Sequence, residues 1–245
     1  MKKMLLLTVF ATSLFASQAQ GIRGLIKKVT HDSTISQIIP TKNVAGLSND
    51  DIISGLKEAL SVGSSNSTKK LSSVDGFFKD AAIKVLMPEE AKKVEQKLRS
   101  IGMGKQVDNA ILSMNRAAED AAQSATPIFI NAIKGITIND GLGILKGGDF
   151  AATNYLKAKT LSQLTEAFRP IIEQSLQKVN ATKYWNTVFS TYNTFSREKV
   201  NTDLTAYVTE KAMAGIFYQV GLEEQKIRKD PVARTTDILK KVFSN

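Results

Sequence analysis

The sequence predicts an all-α protein, a single domain of roughly eight to ten helices behind a cleaved signal peptide, with several helices started or kinked by proline. Three observations carry this prediction. From Pro88 onward, apolar residues recur at spacings of three and four, as in Val107, Ile111, Met114, Ala118 and Ala121. The one strand-like alternation, Ile83 and Val85 within residues 76–86, is too short to build a sheet. Helix-start chemistry recurs where the apolar stripes begin: Ser48 before Asn49-Asp50-Asp51, Pro88 before Glu89-Glu90, and Asp230 before Pro231.

The N-terminus reads as an export signal. Lys2 and Lys3 precede an apolar run from Met4 to Ala16, and Ser17-Gln18-Ala19 places small residues where a signal peptidase cuts, leaving Gln20 as the mature start. The run, about 13 apolar residues, is shorter than the roughly 20 needed to span a bilayer. The expected organisation is a signal peptide over 1–19, a poorly specified arm over 20–46 and a helical domain over 47–245. The chain has no Cys, so lipoprotein attachment, disulfides and thiolate metal sites are excluded. A periplasmic protein without a transmembrane segment in its mature form is expected. The formal charge of +10 falls to +8 once Lys2 and Lys3 are removed, and the basic residues are scattered. That pattern argues against nucleic-acid recognition and permits loose contact with anionic surfaces.

In chain order, Ile52, Ile53, Leu56, Ala59 and Leu60 set the inner face of a helix starting near Ser48, and Gly63-Ser64-Ser65-Asn66-Ser67 reads as a weak spot or linker. The helix begun at Pro88 stops at Gly102, and another starts near Lys105. Pro127 kinks or restarts it. Asn139-Asp140 and Asp149 read as caps for the next two helices, separated by Gly147-Gly148. Leu161, Leu164, Phe168, Ile171, Ser175 and Val179 form a stripe containing Pro170. Residues 182–194 are aromatic-rich. Asn201 to Glu224 reads as a long helix, apolar almost all round from Ala212 to Leu222, and Val232, Thr235, Leu239, Val242 and Phe243 line the inner face of the last.

Few residues are suited to catalysis. The one histidine, His31, sits in a polar turn, which leaves a Ser-His-Asp triad or a His-ligated zinc without support. Arg116 shares a helix face with Glu119 and Asp120 and reads as a local ion pair. Gly147-Gly148-Asp149 lacks the Lys-Ser/Thr ending of a phosphate loop. Glu224 and Arg228 are four apart and can pair. The aromatic group from Tyr184 to Phe195, with Phe168 and Tyr207, reads first as core and second as a pocket lining.

Several stretches together resemble a family of exported bacterial proteins catalogued only as a domain of unknown function. They are Asp75-Gly76-Phe77, Leu98-Arg99, Asn115 to Glu119, Ile144 to Asp149, Ala151-Ala152-Thr153 with Tyr155, Phe168-Arg169-Pro170, Asp203-Leu204, Tyr207-Val208, Glu223-Glu224 with Ile227-Arg228, and Pro231 to Phe243. The likeness covers residues from about 48 to the C-terminus. It departs mildly at Phe195-Ser196 and at Met213-Ala214-Gly215-Ile216-Phe217. The resemblance implies an all-helical fold outside the cytoplasm and brings no activity, substrate or catalytic residue.

The leading functional expectation is a non-enzymatic envelope protein that binds an apolar small molecule or an envelope protein in a groove between helices. Asn115, Arg116, Glu119, Asp149, Tyr155, Arg169, Glu224, Arg228 and Arg234 are the candidates to orient a ligand or lock helix junctions. No metal or cofactor is expected. Two alternatives are a hydrolase or lyase of envelope polymer using carboxylates such as Glu119 and Glu224, and a peripheral binder of anionic membrane.

Overall fold

Ser48 starts the first helix with a reciprocal cap. Its hydroxyl accepts from the Asp51 N–H at 3.1 Å, and the Asp51 carboxylate accepts from the Ser48 N–H at 3.1 Å. In the computed structural model, which describes residues 48–197, 199–234 and 236–242, α1 then runs Asn49–Leu71 without interruption. The expected signal peptide over 1–19, the expected arm over 20–46 and His31 lie outside the described residues.

The expected linker at residues 63–67 is instead helical. Its small residues allow close approach. A Cβ on Gly63 would lie 3.5 Å from Glu223 Cβ on a neighbouring helix, and Ser64 and Ser67 are buried. The Ser67 hydroxyl donates to the Gly63 carbonyl at 2.7 Å, and the hydroxyls of Thr68 and Thr126 meet at 2.6 Å. Gly and Ser serve contact here, where the sequence pattern suggested a break.

Turns and extended backbone follow over residues 72–88, with Phe77, Ile83, Val85 and Met87 buried; no strand forms among the described residues. Pro88 precedes a 3-10 turn, Glu89–Ala91, and α2, Lys92–Ser100. Gly102 adopts φ +85°, a left-handed conformation that costs glycine least, and ends this segment before α3, Gly104–Ala122. The alternating stripe of α3 is buried as expected: Val107, Ile111, Met114, Ala118 and Ala121.

The chain restarts at α4, Ala125–Lys134, with Pro127 in its first turn, where a missing N–H is harmless. The next helix, α5, spans Ile138–Lys146. Its cap is Thr137, two residues before the expected Asn139-Asp140, and Asp140 is the reciprocal partner three residues on.

The longest helix, α6, spans Ala151–Lys178. Its buried row is Ala152, Leu156, Thr160, Leu164, Phe168, Ile172 and Leu176, while Leu161 and Val179 are exposed. The expected stripe favoured large apolar side chains; the observed one keeps a strict spacing of four and admits Ala and Thr where neighbours press closest. Pro170 sits on the solvent face.

Then α7, Ala181–Phe195, buries Trp185 and Phe189 but exposes Tyr184 and Phe195. Asp203 caps α8, Leu204–Lys229, by accepting from the Ala206 N–H at 2.8 Å. This helix packs along α6, α1 and α3, and Phe217 meets Phe129 of α4 edge to face at 5.9 Å. It is not buried all round, because Tyr218 and Leu222 reach solvent. Pro231–Ala233 forms a 3-10 turn in place of a helix start and leaves Val232 exposed; α9, Asp237–Val242, follows. The side chains of Leu239 and Phe243 lie outside the description. The described residues form one all-α domain, and no single helix among them is long and apolar enough to cross a membrane.

Candidate functional site

The polar residues singled out by the sequence separate into three groups. The first joins α3 to the loop after α1. Asp75 adopts φ 70° and Gly76 follows tightly, since a Cβ on Gly76 would fall 2.4 Å from the Lys70 carbonyl oxygen. This turn aims the N–H groups of Phe77 and Phe78 at Glu119 Oε1, which accepts both at 3.0 and 3.1 Å. Arg116 donates to Glu119 Oε2 at 2.6 Å and to Asp75 Oδ1 at 2.8 Å. What read as a local pair is therefore a tertiary clamp. Lys79 and then Arg116 hold the Asp75 carboxyl below the ordinary 3.8, while Glu119, followed by Asp75, raises the Arg116 guanidinium. One turn earlier, the buried Asn115 amide accepts from the Val85 N–H at 2.9 Å and donates to the Val85 carbonyl at 2.8 Å. It mimics a strand neighbour for an extended segment that has none.

The second group joins α5, α6 and α8. Glu224, near the end of α8, accepts from the N–H groups of Ala152 and Thr153 at 3.0 and 2.8 Å and from the Thr153 hydroxyl at 2.7 Å. It thus caps α6 from another helix. Asp149, the expected cap, pairs with Lys229 at 2.6 Å, and Phe150 occupies the cap position with no side-chain bond. Arg228 donates to Glu224 at 2.9 Å and to the Ile144 carbonyl at 2.8 Å, closing the end of α5. Arg234 donates to the carbonyls of Ile227 and Arg228 and closes the end of α8. Tyr155 reaches Asp140 at 3.5 Å, and burial, helped by that carboxylate, pushes its hydroxyl pKa up. The space beside Glu224 measures about 20 Å³, too small for a ligand.

The third group is Arg169 with Asp203, paired at 2.8 Å on a half-exposed surface. None of the nine residues lines the same large concavity as the others. Glu119 and Glu224 are each committed to backbone N–H groups and to an arginine, so neither is presented as a free acid–base group. Among the described residues, no group of three or more His, Asp or Glu could hold a metal ion.

A different feature gathers apolar side chains. α2, α3 and α7 enclose a groove of about 490 Å³, within the usual range for small-molecule sites. Its lining includes Met87, Val94, Leu98, Met103, Trp185 and Phe189. α2 covers one side with Val94 and Leu98 half-buried and no residue fully buried. Of the aromatic set read from the sequence, Tyr184, Trp185 and Phe189 line this groove. Phe168 is core, and Tyr207 faces elsewhere, donating to the Leu86 carbonyl at 2.9 Å. The contribution of α2 was hidden, because its two apolar residues sit among charged ones.

A family model described as "Protein of unknown function (DUF4197)" matches residues 46–244. Compared with curated proteins and with solved structures, the chain matches none.

Proposed function

The chain belongs to that family, and from this premise we propose that it is an exported, non-enzymatic protein of the cell envelope that binds an apolar ligand in the groove between α2, α3 and α7. The observation that carries the reading is the groove itself: about 490 Å³ lined by Val, Leu, Met and aromatic side chains, beneath a helix that buries none of its residues fully. The candidate polar residues support the same reading from the other side. They are consumed in holding helix junctions, which leaves binding to the apolar surface. The leader-like pattern from Lys2 to Ala19 supports export to the periplasm.

Trp185 is the sole Trp of the chain and lines the groove. Its emission should shift and saturate as an apolar probe such as N-phenyl-1-naphthylamine is added to the purified protein. Native mass spectrometry should show a one-to-one adduct. Unchanged Trp185 emission together with a probe-free mass would refute the reading. Sequencing the N-terminus of protein recovered from the periplasm tests export; retention of Met1-Lys2-Lys3 in the cytoplasm would overturn it.

A further inference from the structure

The proposed ligand groove has a charge pattern that its apolar lining does not require. We infer that its ligand is an anionic amphiphile, its aliphatic portion lying against Trp185 and Phe189 and the head group at the mouth. This inference rests on the reading of the groove as a ligand site and adds the ligand's class to it.

The charge around the groove favours an anion. Along the α2–α3 wall, Lys92 to Asp108 carries five basic side chains, Lys92, Lys93, Lys97, Arg99 and Lys105, against two acidic ones, Glu95 and Asp108; Lys92 is paired with Glu89 at 2.8 Å, just outside this stretch. Both acids are taken by Arg99, at 2.9 and 2.8 Å. On the opposite wall, no carboxylate occurs from Gln174 to Arg197, while Lys178 and Lys183 flank the lining residues Val179 and Tyr184. Lys97, Lys105, Lys178 and Lys183 are all exposed, each adjacent in sequence to a groove-lining residue.

The backbone favours an anion as well. α3 and α7 both begin at the groove, contributing Met103 and Gln106 from one start and Ala181 and Tyr184 from the other. Neither start has a side-chain cap, and neither first turn holds an acid. The positive ends of two helix dipoles therefore add to the lysine field. A cationic head group would meet repulsion from both sources, and a neutral one would gain nothing from either.

The rim of the groove favours an amphiphile. Met103, Val179 and Tyr184 are large apolar residues that line this groove and are left exposed at its opening. An amphiphile whose chain crosses this rim covers them, which a small ligand buried wholly inside would not do.

The test is a titration of Trp185 emission with dodecanoate, dodecyltrimethylammonium and dodecyl maltoside, each below its micelle threshold. Dodecanoate should bind at least tenfold tighter than the other two, and its advantage should shrink as salt is raised. Replacing Lys105→Gln and Lys183→Gln together should weaken dodecanoate about tenfold and leave the maltoside unchanged. Equal binding of all three would overturn the anionic assignment while the groove reading stands. Saturation by none of them, with the apolar probe also failing, would overturn both.

Discussion

Glu224 accepts the N–H of Thr153 at 2.8 Å across 71 residues of sequence, so the start of α6 is capped from the far end of α8. The carboxylate is nearly fully buried and its Arg228 partner mostly so. Removing one member of such a pair leaves the other charge buried without compensation. Glu224→Ala should therefore cost about 3–5 kcal/mol, measured by urea denaturation. Arg228→Met should also destabilise, but the double variant should lose less than the sum of the two. Strict additivity would show that the pair does not act as a unit.

The clamp that joins Asp75 to Arg116 of α3 should respond to acid. Lys79 and Arg116 hold the Asp75 carboxyl below its ordinary 3.8. A depressed folded-state pKa contributes stability above the unfolded value, and this contribution fades as pH falls through the folded value. Asp75→Asn keeps a residue tolerant of the left-handed backbone found here (φ 70°) and removes only the charge. At neutral pH the variant should melt below the parent. On the acid side of 3.8 the two melting curves should converge. A difference that persists unchanged into acid would assign the loss to geometry in place of charge.

Gly76 and Gly143 should answer the same substitution in opposite ways. A Cβ at Gly76 would lie 2.4 and 2.6 Å from the carbonyl oxygens of Lys70 and Leu71, backbone atoms that cannot move without unwinding the end of α1. Gly76→Ala should destabilise by about 1–3 kcal/mol or more. At Gly143, inside α5, a Cβ meets nothing within 4 Å. Gly143→Ala should stabilise by about 0.5–1 kcal/mol through helix propensity. Thermal melts of the two variants side by side test both, and a stable Gly76→Ala protein would contradict the close contact.

These cases show where sequence reading succeeded and where it stopped. The α3 stripe from Val107 to Ala121 was legible because it is local: its spacing alone places those residues on one face. The cap at Ser48 was legible for the same reason. Residues 63–67 misled because Gly and Ser break an isolated helix, whereas here they admit α8, a partner the local pattern does not contain. Asp149 misled similarly. A carboxylate just before an apolar helical stretch is a sound local cap, but α6 starts two residues after Asp149 and Glu224 arrives from α8 to take the N–H groups. The groove was half legible. Tyr184, Trp185 and Phe189 stood out, but Val94 and Leu98 on the opposite wall are half-buried residues in a charged helix, and only tertiary placement reveals their partner.

The groove can be filled without disturbing the clamps. Ala110 lines it from α3, is half-buried, and lies more than one helical turn from both Asn115 and Arg116. Ala110→Phe projects a ring into the space between Trp185 and the α2 side chains. Because that space is about 490 Å³ and α2 packs loosely over it, the ring should fit without the overpacking cost of a closed core. Stability should stay within about 1 kcal/mol of the parent, since the added burial is offset by lost rotamer freedom. Binding of the apolar probe, followed through Trp185, should fall at least tenfold. A variant that keeps full probe affinity would place the ligand elsewhere, and one that fails to fold would show that α2 closes on α3 more tightly than its exposed face indicates.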